Sequence, residues 1–182
     1  MNVTRCDIAG LLIIEPKVFG DARGFFLETW NEQRYREAGL ELRFVQDNLS
    51  RSRRGTVRGL HFQNPNSQGK LVYVIEGEVF DVAVDLRRSS PTFGRWHGLR
   101  LSGENRLQFF VPPGFAHGFA VLSETALFAY KCTDFYSPKD EMTLLWDDPE
   151  VGVQWSVSDP MLSEKDKRGL RLRELPADRL FA

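Results

Sequence analysis

The sequence predicts an all-β fold, either a sandwich or a jelly-roll barrel, with a few short helices. Short strand-like runs recur at regular spacing between turn signals, and helical patterns are almost absent. Strands do not alternate with helices, and the chain has neither a Gly-x-Gly-x-x-Gly motif nor a phosphate-binding Gly-Lys-Ser/Thr loop. These absences disfavour a doubly wound nucleotide-binding fold or a P-loop enzyme.

The first third of the chain contains three predicted strands and one predicted helix. The strands cover residues 25–30, 43–49 and 56–62. A helix is predicted over residues 31–38, because Asn31 is a favourable N-cap residue and Gly39 is a typical helix stop.

A β-hairpin is the clearest pattern in the middle of the chain. Its strands cover residues 70–75 and 79–86, with Gly77 in the tight turn between them. In the second strand, alternation places one set of side chains on one face and a second set on the other. The first set is Phe80, Val82, Val84 and Leu86, and the second is Asp81, Ala83 and Asp85. Further strands are predicted at residues 95–101, 106–111, 115–122 and 126–133, and a short helix is predicted to start at Ser163.

Composition limits the classes of function. The chain has 182 residues with 24 Lys plus Arg and 25 Asp plus Glu, a formal net charge of −1. This length suits one domain, residues 1–182, and the near-neutral charge disfavours a nucleic-acid or membrane-surface binder. Cys6 and Cys132 lie far apart, which predicts neither a disulfide scaffold nor a zinc site. No targeting segment is recognisable, so we expect a cytoplasmic protein.

Three histidines are the first candidates for chemistry, because a histidine titrates close to neutral pH. His61 ends a predicted strand and follows Arg58 by three positions, so a regular strand would point the two side chains in opposite directions. A bulge at Gly59 could bring both to one site. His117 follows a turn and precedes a glycine, whereas His97 is interpreted as a surface or packing residue. Taken singly, either of the first two is more often structural than catalytic. No His-x-His or His-x-x-x-His spacing indicates a metal site.

Charged and aromatic residues supply further candidates, each with a plain structural alternative. Arg51, Arg53 and Arg54 are interpreted as exposed residues of a loop. Arg58, Lys70 and Arg23 could instead form an anion pocket, since Arg binds phosphate oxygens in a bidentate manner. Asp81 is either a solvent-facing aspartate or the partner that orients a base or a lysine. Tyr130 would ordinarily be a core tyrosine.

An ordered set of motifs resembles the dTDP-4-dehydrorhamnose 3,5-epimerase family, from about residue 8 to residue 166. The motifs are Arg23-Gly-x-Phe-x-Glu28, Gln46-Asp-Asn48, Gly55-x-x-Arg-Gly-Leu-His-Phe-Gln63, Lys70-Leu-Val72, Gly77-Glu-Val-Phe-Asp-Val-Ala-Val-Asp85, Ser90-Pro-Thr-Phe-Gly94, Pro113-Gly-Phe-Ala-His-Gly-Phe119 and Tyr130-Lys-x-Thr133. The resemblance implies a cupin-type double-stranded β-helix, or jelly roll, acting as a homodimer with no metal or organic cofactor. It also implies a substrate, dTDP-4-dehydro-6-deoxy-D-glucose, and a place in dTDP-L-rhamnose biosynthesis.

The chemistry of that family explains the residue types. The C4 ketone of the substrate acidifies the hydrogens on C3 and C5, so epimerisation needs a base, an acid across the ring and a donor for the enolate oxygen. By resemblance, His61 is the base, Asp166 is its partner and Tyr130 is the acid. Lys70 steadies the enolate, and Asp81 supports the site. The positions implied to contact substrate are Arg23, Glu28, Gln46, Asn48, Arg58, Lys70, His117, Glu141 and Lys165.

Three alternatives remain open at this stage. A relative could invert only C3 or only C5 of a related dTDP-4-keto-6-deoxy sugar, or isomerise its ketone. A metal-dependent cupin, such as an oxygenase, would use His61 and His117. A sugar-nucleotide-binding module would bind dTDP without exchanging substrate hydrogens.

Overall fold

The computed structural model describes all 182 residues and has the predicted all-β, cupin-type fold. Its strands are β1 (Asn2–Arg5), β2 (Leu12–Glu15), β3 (Val18–Asp21), β4 (Gly24–Leu27), β5 (Gln46–Arg53), β6 (Val57–Gln63), β7 (Lys70–Glu76), β8 (Glu78–Asp85), β9 (Trp96–Ser102), β10 (Gln108–Val111), β11 (Phe115–Val121), β12 (Thr125–Cys132) and β13 (Glu141–Thr143). The α-helices are α1 (Glu32–Glu37) and α2 (Glu164–Lys167), and 3₁₀ turns cover Leu172–Glu174 and Ala177–Arg179. No helix is long and apolar enough to cross a lipid bilayer.

The strands form two large antiparallel sheets and one hairpin. The six-stranded sheet has the order β1-β2-β10-β7-β12-β5, and the five-stranded sheet has the order β13-β6-β11-β8-β9. Strands β3 and β4 pair only with each other. Neighbours in the sheets come from distant parts of the chain, as the pairing of β12 with both β5 and β7 illustrates.

The main core lies between the two large sheets. Val72 and Phe128 from the six-stranded sheet pack in one cluster with Val79, Ala83 and Phe119 from the five-stranded sheet. Each contributing strand alternates, so its other face packs elsewhere. Because both faces of these strands are covered, β8 and β11 are buried along almost their whole length.

Two further clusters cover the outer faces. Val82 and Val84 on the opposite face of β8, together with Leu86 just after it, pack in one cluster with Leu172 and Leu175 near the C-terminus. The C-terminal segment therefore completes the core of the five-stranded sheet. On the outer face of the six-stranded sheet, helix α1 is anchored by its own Tyr35, which packs in a third cluster of buried side chains.

The predicted strands and helices largely agree with the structure, and the differences have physical reasons. Asn31 caps α1 and accepts a hydrogen bond from the Arg34 backbone, and Ser163 caps α2, both as predicted. The strands β1, β2, β3 and β13, each three or four residues long, were not predicted. The edge strand β5 runs from Gln46 to Arg53 rather than over residues 43–49, because its polar, exposed alternation gives little hydrophobic signal. Its Arg51 and Arg53 are exposed as expected, but they lie on a strand rather than in a loop.

Candidate active site

A cavity of about 770 Å³ is lined by residues from both large sheets. The six-stranded sheet contributes positions on β5, β7 and β12, and the five-stranded sheet contributes positions on β6, β11 and β13. Helix α2 closes one side. The predicted site residues that line this cavity are Gln46, Asn48, Arg58, His61, Lys70, His117, Tyr130, Glu141, Lys165 and Asp166.

A bulge in β6 brings Arg58 and His61 to the same cavity, as the sequence predicted. His61 is opposite His117 and Arg58 is opposite Phe119, so β6 has one more residue than β11 between these pairs. Gly59 is one of the two β6 residues that form this bulge, and its φ is +131°. A Cβ at this position would lie 2.6 Å from the Cα of Gly118, so only glycine fits the close approach of the two strands.

His61 and Asp166 form a hydrogen-bonded pair, with 2.5 Å between Nε2 and Oδ1. Burial lowers the pKa of His61, outweighing the opposite effect of Asp166. Burial also acts to raise the pKa of Asp166, but the hydrogen bond and charge of His61 and the hydroxyl of Ser163 outweigh it, so this pKa is lowered. A neutral imidazole whose Nε2–H donates to an ionised Asp166 has its lone pair on Nδ1 and can accept a proton.

A second His–Asp pair lies on the neighbouring strands. His117 Nε2 is 2.9 Å from Asp81 Oδ1, and both side chains are almost fully buried. Asp81 therefore does not face solvent, because its face of β8 is directed towards the core between the sheets. Burial raises the pKa of Asp81, against the effects of His117 and Lys70, and Oδ2 has no hydrogen-bond partner. Asp81 orients His117 rather than His61.

Tyr130 and Lys70 enter the cavity from the six-stranded sheet, facing the histidines of the other sheet. Burial and the nearby Cys132 raise the pKa of Tyr130, so its hydroxyl stays protonated at neutral pH. Burial lowers the pKa of Lys70, although Cys132, Glu141 and Asp81 oppose this shift. Those two carboxylates are hydrogen-bonded to Lys165 and His117, which leaves Lys70 without an ion pair.

Polar residues at the rim of the cavity form a connected network. Glu141 accepts hydrogen bonds from Lys165 at 2.9 Å and from the hydroxyl of Tyr136 at 3.0 Å. The Tyr136 backbone N–H donates to Gln46, whose amide donates to Asn48. Tyr136 was not predicted as a site residue. The only signal for it was the second tyrosine of the run Tyr130-Lys-Cys-Thr-Asp-Phe-Tyr136.

Arg23 and Glu28 do not line this cavity within a single chain, and their role as substrate contacts stays a prediction. Arg23 is 90% exposed on the β3–β4 hairpin and pairs with Asp21. Glu28 pairs with Arg34 and accepts from Asn31, so it stabilises the start of α1. The β3–β4 hairpin pairs with neither large sheet, so strand pairing does not hold this segment beside the cavity.

The remaining candidates have structural roles. His97 binds Asp7 at the surface, as predicted. No group of three or more His, Cys, Asp or Glu side chains is placed to hold a metal ion. The two histidines that a metal-dependent cupin would use are each bound through Nε2 to a carboxylate.

Comparison with known proteins gives consistent matches over almost the whole chain. The family model described as dTDP-4-dehydrorhamnose 3,5-epimerase matches residues 5–174. A protein of that name from Pseudomonas aeruginosa is 57% identical over 171 residues, which cover 93% of this chain and 94% of the relative. A dTDP-4-dehydrorhamnose 3-epimerase from Streptomyces niveus is 40% identical over 176 residues, covering 96% of this chain and 85% of the relative.

The fold agrees equally well with a solved structure. The crystal structure of a dTDP-6-deoxy-D-glucose-3,5-epimerase from Legionella pneumophila, in complex with dTDP-4-keto-L-rhamnose, superposes with a TM-score of 0.96. The two chains are 52% identical, and the match covers 99% of this chain and 97% of the other.

Proposed function

The chain belongs to the dTDP-4-dehydrorhamnose 3,5-epimerase family and is an epimerase, and we propose the following substrate and mechanism. It epimerises C3 and C5 of dTDP-4-dehydro-6-deoxy-D-glucose and yields dTDP-4-dehydro-L-rhamnose, a step of dTDP-L-rhamnose biosynthesis. Residues 1–182 act as a single cupin-like epimerase domain. The observation that carries the proposal is the His61–Asp166 pair facing Tyr130 from the opposite sheet across one cavity.

Proton abstraction is assigned to His61. The C4 ketone makes the neighbouring C–H bonds acidic, and the lone pair on Nδ1 of His61 accepts the proton. The imidazolium that forms is stabilised by the ionised Asp166 at 2.5 Å. The lowered pKa of His61 keeps the free base available at neutral pH.

The negative charge of the enolate needs a cation, and Lys70 supplies it. Lys70 has no ion pair within the protein, and the negative charge that develops on the C4 oxygen favours its protonated form, against the effect of burial on its pKa. Because its position in the cavity is preorganised, the charge of Lys70 stabilises the intermediate more strongly than solvent water does.

Reprotonation from the other face is assigned to Tyr130. Inversion requires that the proton return on the face opposite the one from which it left, and Tyr130 enters from the sheet opposite His61. The raised pKa of Tyr130 keeps its proton in place until the enolate accepts it. Proton exchange with water then restores His61 and Tyr130 for the second centre.

Substrate binding is assigned to the polar lining of the cavity. The Arg58 guanidinium, held by the Ser52 hydroxyl at 3.0 Å, suits the diphosphate or sugar oxygens. His117, held by Asp81, faces the same cavity. The remaining contacts come from the rim: Gln46, Asn48, Glu141 and Lys165.

A homodimer accounts for the two implied substrate contacts that lie outside the cavity. The hairpin that carries Arg23 exposes Phe19, Phe25 and Phe26, of which the last is 65% exposed. Exposed apolar patches of this kind mark interaction surfaces. We propose that a second copy of the chain covers this hairpin, so that Arg23 and Glu28 of one copy reach the cavity of the other.

A single-centre epimerase is the second candidate, favoured by the similarity to the Streptomyces niveus 3-epimerase. In that case the same His61, Lys70 and Tyr130 chemistry acts at one carbon of a related dTDP-4-keto-6-deoxy sugar. The residues that line the cavity serve either outcome equally well.

The test is to incubate the protein with dTDP-4-dehydro-6-deoxy-D-glucose in heavy water and locate the deuterium by NMR. Label at C3 and C5, with L-lyxo product, supports the double epimerase, and label at one carbon supports the second candidate. Absence of label, with substrate shown to bind, would indicate a binding module instead. His61→Ala should abolish labelling, whereas the matched control His97→Ala, outside the cavity, should label like the wild type.

A further inference from the structure

Ser163 makes two hydrogen bonds to a single residue, Asp166. Its Oγ accepts the backbone N–H of Asp166 at 3.1 Å, which caps helix α2. The same hydroxyl donates to Oδ2 of the Asp166 carboxylate at 2.8 Å. An ordinary helix cap requires only the first of these two bonds.

The second bond leaves both oxygens of the carboxylate occupied by different partners. Oδ2 accepts from Ser163, while Oδ1 is 2.5 Å from Nε2 of His61. Two partners on opposite oxygens fix the rotation of a short side chain more tightly than one does. Helix α2 has only four residues, so its own stability contributes little to holding Asp166 in place.

We propose that Ser163 is a positioning residue: its hydroxyl holds the Asp166 carboxylate in the orientation in which Oδ1 meets Nε2 of His61. This proposal rests on the proposed function, in which His61 is the base. Ser163 acts through Asp166 and His61 and takes no part in proton transfer itself.

Charged and titratable groups from several elements face the His61 imidazole and bear on its titration. Asp166 and Lys165 come from α2, and Lys70 comes from β7. Glu141 approaches from β13, and His117 lies opposite on β11. Of these groups, Asp166 is the one that Ser163 contacts. A change at Ser163 therefore reaches His61 through a single neighbour.

Three substitutions in the full-length protein separate positioning from helix capping. Ser163→Ala removes the cap and the donor, Ser163→Gly removes the donor but remains a tolerable N-cap, and Ser163→Thr keeps both. At 25 °C we expect kcat to fall about three- to tenfold in the Ala and Gly variants, with KM within about twofold of wild type. The Thr variant should retain kcat. The melting temperature should fall clearly only in the Ala variant.

An NMR titration of the histidine ring protons adds a readout that does not depend on turnover. The chain has three histidines, and a His61→Ala spectrum assigns the His61 signal. We expect the pKa of His61 to fall in the Ala and Gly variants, because a mobile Asp166 stabilises the imidazolium less, and to stay unchanged in the Thr variant.

Two results would overturn the proposal. A Gly variant with wild-type kcat and an unmoved His61 titration would make Ser163 a helix cap only. A raised pKa of His61 with wild-type kcat would mean that the hydroxyl withdraws charge from Asp166 and does not position it. Failure of wild-type protein to incorporate deuterium would instead refute the proposed function, and the titration would still test the link from Ser163 to His61.

Discussion

The substitution Asp166→Asn removes the negative charge beside the base His61 and keeps the shape of the side chain that contacts it. The His61–Asp166 hydrogen bond is short, and Asp166 is 3% exposed, so solvent screens the pair weakly. A hydrogen bond to a charged group of this kind contributes about 1.5–3 kcal/mol. Since about 1.4 kcal/mol corresponds to tenfold in rate, kcat should fall by roughly 10- to 150-fold.

The pH dependence of kcat/KM in the Asp166→Asn variant tests the role of Asp166 independently. Asp166 acts to raise the pKa of His61, against the larger effect of burial. Removing the carboxylate lowers that pKa further, so the neutral base persists to lower pH. The acid limb of kcat/KM, which reports the free enzyme, should therefore move to lower pH than in the wild type.

Steady-state epimerisation, monitored by NMR in heavy water, measures both quantities. Asp148→Asn is the matched control, because Asp148 is 2% exposed and its carboxylate accepts the backbone N–H groups of Glu150 and Leu172 outside the cavity. The control should lose stability and keep kcat within about twofold. A kcat for Asp166→Asn within twofold of wild type, or an equal loss in the control, would refute the reasoning.

Three further predictions follow from the assigned roles. Tyr130→Phe removes the proton donor. In the same NMR assay, the hydrogen that His61 abstracts should still exchange for deuterium, while less product forms. An unchanged product yield would contradict the acid role. Lys70→Met removes a half-buried amino group that has no ion pair, so kcat should fall at least about tenfold while the melting temperature holds or rises. A lower melting temperature would mean that Lys70 stabilises the fold. If the proposed homodimer forms through the exposed hairpin, Phe26→Asp should convert it to monomer in sedimentation velocity and lower activity. Arg23→Ala should lower activity without changing the sedimentation coefficient. A dimer that survives Phe26→Asp would place the interface elsewhere.

The sequence alone determined the class of fold and most of the strands, because both depend on local patterns. Alternation in the segment that became β8 predicted two faces correctly, and Asn31 and Ser163 were recognised as helix caps from the residues beside them. The bulge at Gly59 was also predictable, since an odd separation between Arg58 and His61 and a glycine between them are visible in the sequence. The resemblance of ordered motifs to one epimerase family indicated the family to which the chain belongs.

Only the tertiary structure decided which side chains meet. Asp166 reads locally as a charge in the first turn of a short helix, yet the fold brings it to His61, 105 positions earlier in the chain. From the sequence alone, Asp81 could face solvent. In the fold, the six-stranded sheet covers its face of β8, and its carboxylate contacts His117. Arg23 and Glu28 belong to the same set of motifs as the cavity residues, but within a single chain they do not line the cavity. Local patterns specify strands and turns, whereas a site built across two sheets depends on non-local pairing, which no short stretch of sequence encodes.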